Sequence, residues 1–192
     1  MVKPTLILYT LTDNTSPCNE VSDRVNKELE AKGWTILKIL PEWKGDSLLW
    51  PFWHIQIVIG LVARNNSDDK PRLKFFYSPR ATTESLALVA TLVKHLRAYN
   101  LDYCLAGTLE YFWRLTYRKL LNASTIPTVL IEISTRKMTA EIVDKLTEWL
   151  TASLIAYFDT YNATAKDNAD LLQDEQINDE TKKAEAIMVP EQ

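Results

Sequence analysis

The chain has 192 residues, of which 46% are hydrophobic and 24% are charged, and its formal net charge is −3. This length supports one sizeable hydrophobic core but not two comfortable domains. The sequence has no concentrated basic patch of the kind that binds nucleic acid, and no apolar run approaches a membrane span, about 20 residues. The first apolar run is too short for a signal peptide and no small-residue cleavage site follows it, so we expect a cytoplasmic protein, or one released by a route that the sequence does not show.

The first predicted elements form a β-α-β unit. The apolar run Thr5 to Leu11 predicts a strand, and Ser16 before a proline is typical of a helix N-cap. Apolar residues at four-residue spacing predict a helix from Pro17 to Lys32, which Gly33 ends as a residue free to adopt the left-handed conformation. A second strand, Trp34 to Leu40, is predicted to lie parallel to the first.

The middle of the chain contains the most apolar strand. Ile55 to Ala63 is nearly continuous in apolar residues, which predicts a strand in the centre of the sheet. Before it, the aromatic-rich stretch Pro41 to Trp53 is interpreted as a loop over the core rather than as a ligand-stacking surface. A polar loop, Arg64 to Pro71, leads to a short strand, Leu73 to Tyr77, and to a helix, Thr82 to Tyr99.

The remaining pattern completes one α/β domain. We predict a short strand from Leu101 to Leu105, a helix from Leu109 to Leu121, a strand from Thr128 to Ile133 and a final helix from Thr139 to Phe158. Residues 163–192 contain eight acidic residues and three lysines, a net charge of −5, and predict a flexible acidic tail. The sequence therefore predicts a single domain over 1–162, with a mostly parallel central sheet of about six strands flanked by helices.

One carboxylate, Glu132, interrupts the apolar strand near residue 130. An acid among Leu130, Ile131 and Ile133 must either meet a partner or take part in chemistry. From the residues alone, we favour an acid at the end of the strand that is paired with Arg64 or Arg136, or is simply solvated, over a catalytic acid.

The histidines and cysteines do not form a recognisable metal or redox motif. His54 and His95 have no neighbour at metal-ligand spacing, so we predict structural or surface roles for both. Cys18 and Cys104 are far apart in the sequence, and we expect two free thiols in a reducing compartment. The residues themselves predict no metal site.

The order and the amino-acid sequences of several segments resemble those of a known family of enzymes. The segments are Phe75-Phe-Tyr-Ser-Pro79, Glu84-Ser-Leu-Ala87, Phe112-Trp-Arg-Leu115, Ile126-Pro-Thr-Val-Leu-Ile-Glu-Ile133 and Ala156-Tyr-Phe158. They resemble the zinc-dependent N-acetylmuramoyl-L-alanine amidases of the amidase type 3 family, which cut the stem peptide from peptidoglycan sugar. The resemblance implies a phosphorylase/hydrolase-like α/β fold. It also implies that Glu132 occupies the position of the catalytic glutamate.

The chain departs from this family at the metal ligands. The family binds zinc through a histidine after its first strand, a glutamate at the start of its first helix and a histidine after its central strand. Here the first loop has Asp13 and no histidine, and Ala63 or Arg64 stands where the second histidine is expected. Asn65 matches a polar residue of the family motif, and Glu20 lies near the position of the glutamate ligand. The resemblance thus implies a catalytic acid without the histidine ligands.

These observations leave three functional hypotheses. The first is an inactive amidase-like module without cofactor, which binds a peptidoglycan fragment or a protein partner and in which Arg64 supplies positive charge in place of the cation. The second is an active peptidoglycan amidase with a non-standard zinc site that includes Asp13 and Glu20. The third is a flavodoxin-like protein, because Tyr9-Thr-Leu-Thr-Asp-Asn-Thr15 resembles a phosphate loop, although Asp13 would repel a phosphate.

Overall fold

The computed structural model describes seven segments, residues 4–10, 16–37, 56–64, 72–78, 82–108, 126–134 and 138–161. The chain divides into two compact units, Met1–Leu154 and Ile155–Gln192. The first unit contains the whole described sheet and is a single α/β domain. In the second unit, the rings of Tyr157 and Tyr161 stack with their centroids 6.4 Å apart. No helix in the described segments is long and apolar enough to cross a membrane.

In the described segments, six strands form one sheet. They are β1 (Thr5–Thr10), β2 (Thr35–Leu37), β3 (Ile57–Arg64), β4 (Arg72–Tyr77), β5 (Asp102–Thr108) and β6 (Thr128–Ser134). Their order across the sheet is β2-β1-β3-β6-β4-β5. All neighbouring pairs are parallel except β4 and β6, which run in opposite directions. The prediction of a mostly parallel six-stranded sheet with β3 near its centre is confirmed.

Three helices accompany the sheet in the described segments. They are α1 (Pro17–Ala31), α2 (Thr82–Leu96), which continues into a short 3-10 turn (Arg97–Tyr99), and α3 (residues 140–161). The Ser16 hydroxyl caps α1 by accepting a hydrogen bond from the Cys18 amide. Gly33 has a φ of 86°, a conformation that residues with a side chain rarely adopt, so the glycine allows the chain to turn from α1 into β2.

The two faces of the sheet have different neighbours. Side chains alternate along a strand, so Phe75 lies on one face of β4 while Lys74 and Phe76 lie on the other. The rings of Phe75 and of Trp149 in α3 pack edge to face, with their centroids 6.1 Å apart. The Trp149 indole N–H donates a hydrogen bond to the carbonyl of Leu92 in α2. α3 therefore lies on the Phe75 face, next to α2.

The opposite face has its own apolar cluster. Its buried members are Ile7, Tyr9, Val58, Phe76 and Leu130, which come from four different strands. The alternation along β6 and β4 places Glu132 and Lys74 on the same face as this cluster. The candidate site therefore lies beside this apolar cluster, on the same face of the sheet.

The element predictions needed few corrections, all at element ends. β5 continues to Thr108 instead of ending at Leu105, because it pairs with β4 through a register shift between Phe75 and Phe76. The predicted helix Thr82 to Tyr99 tightens into the 3-10 turn after Leu96, and Asn100 adopts the left-handed conformation that stops it. α3 extends three residues beyond the predicted end at Phe158.

Several predictions concern residues outside the described segments. They are the helix Leu109 to Leu121, the aromatic loop Pro41 to Trp53, the end of the second strand at Leu40, the position of His54 and the acidic tail 163–192. The domain boundary after residue 162 also stays a prediction.

Candidate functional site

Glu132 lies near the carboxyl end of β6, at the edge where the parallel strands β1, β3 and β6 all end. In sheets of this type, ligand sites gather at the carboxyl ends of the strands. Glu132 is directly opposite Val62 in β3 and opposite Lys74 in β4. All seven residues of β6 are buried, so this strand is covered on both faces of the sheet.

Two cations hold the carboxylate of Glu132. Arg64 Nη1 donates a hydrogen bond to Glu132 Oε2 at 2.9 Å, and Lys74 Nζ lies 3.5 Å from Glu132 Oε1. The Glu132 side chain is only 3% exposed, whereas those of Arg64 and Lys74 are 57% and 28% exposed. The predicted pairing with Arg64 is confirmed, while Arg136 lies outside the described segments. Each carboxylate oxygen therefore faces a positive charge.

Lys74 is the site residue that the sequence reasoning missed. The antiparallel pairing of β4 with β6 places it directly opposite Glu132, although 58 positions separate them in the sequence. A signal was present in the sequence. Leu73 and Phe75 make one face of this strand apolar, and Phe76 is apolar on the face that carries Lys74, so Lys74 is a charge in a strand with apolar residues on both faces. A lysine among core residues, like a glutamate, indicates that a partner of opposite charge is near.

The burial of Glu132 explains why the pairs form. An ionised carboxylate that leaves water loses favourable solvation, and a compensating charge or hydrogen bond is required. Arg64 and Lys74 are both more exposed than Glu132, so the buried carboxylate is compensated by two cations that reach the solvent.

The end of β1 is fixed by a polar contact. The hydroxyl of Thr10, the last residue of β1, donates a hydrogen bond to Asn19 Oδ1 in the first turns of α1. This contact ties the carboxyl end of β1 to the start of the helix. Thr10 therefore contributes to the stability of this edge of the sheet through its side chain.

Gly60 is required by the close packing beside the site. A Cβ atom at this position would lie 2.7 Å from the Tyr9 hydroxyl, 2.8 Å from Tyr9 Cζ and 2.7 Å from Leu130 Cδ1. Such distances are shorter than normal carbon contacts, so the ring of Tyr9 occupies the space that a side chain would need. The glycine in the middle of β3 is thus explained by the approach of Tyr9.

The other predicted site residues are not gathered around Glu132 in the described segments. Glu20 accepts a hydrogen bond at 2.6 Å from Arg24 Nη2, and Arg24 Nη1 donates at 2.5 Å to Asp144 in α3. These three side chains are about half exposed and form an ion-pair network that joins α1 to α3. Asp13 and Asn65 lie outside the described segments. The positions predicted as ligand substitutes therefore stay predictions.

The described residues do not fit a zinc ion. Zinc sites in hydrolases need about three histidine, cysteine or carboxylate ligands and an open position. Within the described segments, no three such residues are close enough to hold a metal, and His95 lies half-buried in the last turn of α2. Within the part of the chain that the structure describes, the ion-pair partners of Glu132 are Arg64 and Lys74, which would repel a divalent cation.

Comparisons with known proteins support the fold. No protein-family model and no curated protein sequence matches the chain. Among solved structures, an N-acetylmuramoyl-L-alanine amidase of Mycobacterium smegmatis matches with a TM-score of 0.62 and 9% identity, over 83% of this chain and 99% of that one. An amidase of Clostridium difficile 630 matches with a TM-score of 0.59 and 14% identity, over 83% of this chain and 98% of that one. An amidase of Nostoc punctiforme matches with a TM-score of 0.58 and 11% identity, over 81% of this chain and 97% of that one. At these identities the likeness shows that this chain has the fold of the N-acetylmuramoyl-L-alanine amidases.

Proposed function

We propose that this chain is a non-hydrolysing binding protein for peptidoglycan fragments, built on the amidase fold. The observation that carries the proposal is the state of Glu132. At the position that resembles the catalytic glutamate of the amidases, the carboxylate is bound to Arg64 at 2.9 Å and has Lys74 at 3.5 Å. A carboxylate that is paired with two cations has a structural role, whereas a general base has to accept a proton from water.

The engagement of both oxygens of Glu132 argues against hydrolysis. A general base must lie within hydrogen-bond reach of the water whose proton it takes. Here the carboxylate is only 3% exposed, and Arg64 and Lys74 lie beside its two oxygens, so a water molecule would have to reach it past both cations. Because the described donors also do not fit zinc, we expect the protein to lack the metal-activated water that such hydrolysis requires.

The position of the site and the exposure of its cations support a binding role. The cluster lies at the carboxyl edge of the parallel strands, where α/β proteins bind ligands, and its cations are accessible to solvent. The amidases with this fold are named for N-acetylmuramoyl-L-alanine, which makes a fragment with this group the first ligand to examine. A protein partner stays a prediction, and a purely protein-binding role would show as no affinity for any muramoyl peptide.

The experiment combines metal analysis, a hydrolysis assay and a binding assay on the same preparation. The full chain is purified, its zinc content is measured, and it is incubated with muramoyl pentapeptide with and without added zinc. We expect substoichiometric zinc, no release of the stem peptide, and saturable binding of the intact fragment by isothermal titration calorimetry. Tightly bound stoichiometric zinc together with release of the stem peptide would refute the proposal and establish the active amidase.

The two other hypotheses gain less support. The carboxylate of Glu20 is already bound to Arg24, which weakens the hypothesis of a metal site that includes it. The flavodoxin-like sheet is parallel with the order 2-1-3-4-5. The observed sheet has six strands and an antiparallel β4–β6 pair, so it lacks that topology. The cytoplasmic location stays a prediction, which cell fractionation would test.

A further inference from the structure

We propose that β5 pairs with the β5 strand of a second copy of this chain, so that two copies form a dimer with one continuous sheet. The two strands run antiparallel about a two-fold axis at Cys104. This inference is independent of the proposed function, since it concerns the outer edge of the sheet and uses none of the ion pairs of Glu132.

β5 is an outer strand of the sheet. In the described segments, its only neighbouring strand is β4, so the backbone groups along its other side have no strand partner there. The opposite outer strand, β2, has only three residues, and a short edge strand is a poor template for pairing. A second copy is therefore expected to add to the sheet at β5. Because two-fold pairing uses this edge in both copies, assembly stops at a dimer.

The exposed apolar side chains of the sheet lie on this strand. Among the described residues, four large apolar or aromatic side chains are exposed, and two of them, Tyr103 and Leu105, belong to β5. Leu105 is 61% exposed, the highest value of the four. Both side chains lie on the same face, and the ring of Tyr103 packs against Phe75 with the centroids 6.3 Å apart. An apolar pair is thus held in place beside the open edge.

The sequence of β5 is complementary to itself in the antiparallel direction. Pairing centred on Cys104 places Tyr103 directly opposite Leu105 of the second copy, and the symmetry repeats this contact. Aromatic and aliphatic residues that face each other across two strands stabilise the pair. The single charged residue of β5, Asp102, would face Ala106, so no like charges meet. Outer strands are commonly protected by lysine or proline, and β5 contains neither.

The bulge of β5 leaves the pairing segment regular. Phe75 pairs with Leu105 and Phe76 pairs with Gly107, so Ala106 is the extra residue. The residues before it keep a continuous register with β4. The contacts between Tyr103 and Leu105 therefore use only the regular part of the strand.

The dimer places both candidate sites on one face. Cys104 is opposite Lys74, which is opposite Glu132, so these three residues form a row across the sheet. Pairing at Cys104 continues the row into the second copy, because a two-fold axis perpendicular to the sheet keeps its faces. The two Glu132 residues would then be five strand spacings apart, about 24 Å.

The first test measures the mass of the reduced full-length protein by sedimentation equilibrium. We expect the mass to rise with concentration from that of one chain towards that of two. Leu105→Lys should raise the dissociation constant of the dimer at least about tenfold, because each dimer loses the burial of two leucines. Leu86→Lys is the matched control, since it changes another exposed leucine, on α2, and should leave the dissociation constant unchanged. Thermal unfolding followed by circular dichroism shows whether each variant is folded.

The second test uses the half-buried thiol of Cys104 as a reporter. Copper(II)–phenanthroline takes up two electrons, two Cys104 thiols release two protons, and one S–S bond forms between the copies. Directly opposite residues of antiparallel strands have Cα atoms about 4.5–5.5 Å apart, which a disulfide can span. We expect a covalent dimer of the folded protein that Cys104→Ser abolishes. Cys18→Ser should not abolish it, because Cys18 is buried.

The outcomes separate this inference from the proposed function. A protein that stays monomeric at all concentrations overturns the dimer, and the same result is expected if another part of the chain pairs with β5. A dimer that Leu105→Lys leaves intact uses a different surface, which also overturns the assignment. If Leu105→Lys does not fold, the absence of a Cys104 crosslink in the unaltered protein has the same consequence. A monomer that binds muramoyl pentapeptide without cleavage overturns this inference alone, whereas a Cys104-linked dimer that cleaves it overturns the proposed function alone.

Discussion

The substitution Arg64→Ala tests whether the buried carboxylate depends on its arginine. Removal of one partner from a fully buried ion pair costs about 3–5 kcal/mol, because a charge is left without compensation. Here the cost should be smaller, since Arg64 is 57% exposed, water can replace part of the guanidinium, and Lys74 remains 3.5 Å from Glu132. We therefore expect a loss of about 1–2 kcal/mol in the free energy of unfolding.

The loss is measurable by urea or thermal unfolding followed by circular dichroism. For a chain of this size, 1 kcal/mol lowers the melting temperature by about 2–4 °C, so Arg64→Ala should lower it by about 2–8 °C. A double-mutant cycle with Glu132→Gln isolates the pair, and we expect a coupling of at least about 0.5 kcal/mol. The cycle measures the interaction energy between Arg64 and Glu132, whereas a single substitution also includes the other contacts of the residue that is changed.

Arg24→Ala serves as the control, since it removes an arginine from exposed pairs with Glu20 and Asp144 and should destabilise the protein less than Arg64→Ala does. Equal losses for the two alanine variants would refute the reasoning, because they would show that burial of Glu132 adds nothing. A coupling energy between Arg64 and Glu132 that is indistinguishable from zero would refute it as well.

Three further predictions concern the core. Burial raises the pKa of the Cys18 thiol from 9.0 to about 11, so Cys18 should resist iodoacetamide at pH 8 while the half-buried Cys104 reacts. Between pH 9 and about 11 the Cys18 thiol keeps its proton in the folded state and loses it in the unfolded state. The free energy of unfolding should therefore fall as the pH rises through this range, and Cys18→Ala should remove this pH dependence. Gly60→Ala should cost about 1–3 kcal/mol, and Tyr9→Phe should not rescue it, because the ring carbon stays 2.8 Å from the new methyl group. Thr151→Val should stabilise the protein by about 1 kcal/mol, since the buried Thr151 hydroxyl has no hydrogen-bond partner among the described residues.

Each of these has a result that would count against it. Equal alkylation rates for the two cysteines in the folded protein would show that Cys18 is accessible. An unchanged melting temperature for Gly60→Ala would show that Tyr9 has room to move. A destabilised Thr151→Val variant would indicate that a buried water binds the hydroxyl, which a high-resolution crystal structure would reveal.

The positions of most strands and helices could be predicted from the sequence. β1, β3 and β6 are continuous apolar runs, and α1 and α2 have apolar residues at helical spacing. Glu132 could be singled out for the same reason, because a charge is conspicuous in a strand of Leu, Ile and Val. Arg64 was one of two predicted partners, with Arg136 as the other.

The ends of elements and the order of strands could not be predicted in the same way. The extension of β5 to Thr108 depends on its pairing with β4, and the 3-10 turn after Leu96 depends on where Asn100 adopts the left-handed conformation. Likewise, the closeness of Tyr9 and Gly60 depends on the register of β1 against β3. These features come from contacts between segments that are distant in the chain.

The sequence by itself determined that this chain forms a mostly parallel α/β sheet and that Glu132 lies in one of its apolar strands. Only the tertiary structure decided that β4 runs antiparallel to β6, which brings Lys74 to Glu132 as a second cation beside Arg64. The physical reason is that hydrophobic periodicity is a local property of the chain, whereas the direction and register of strands are set by non-local hydrogen bonds and packing.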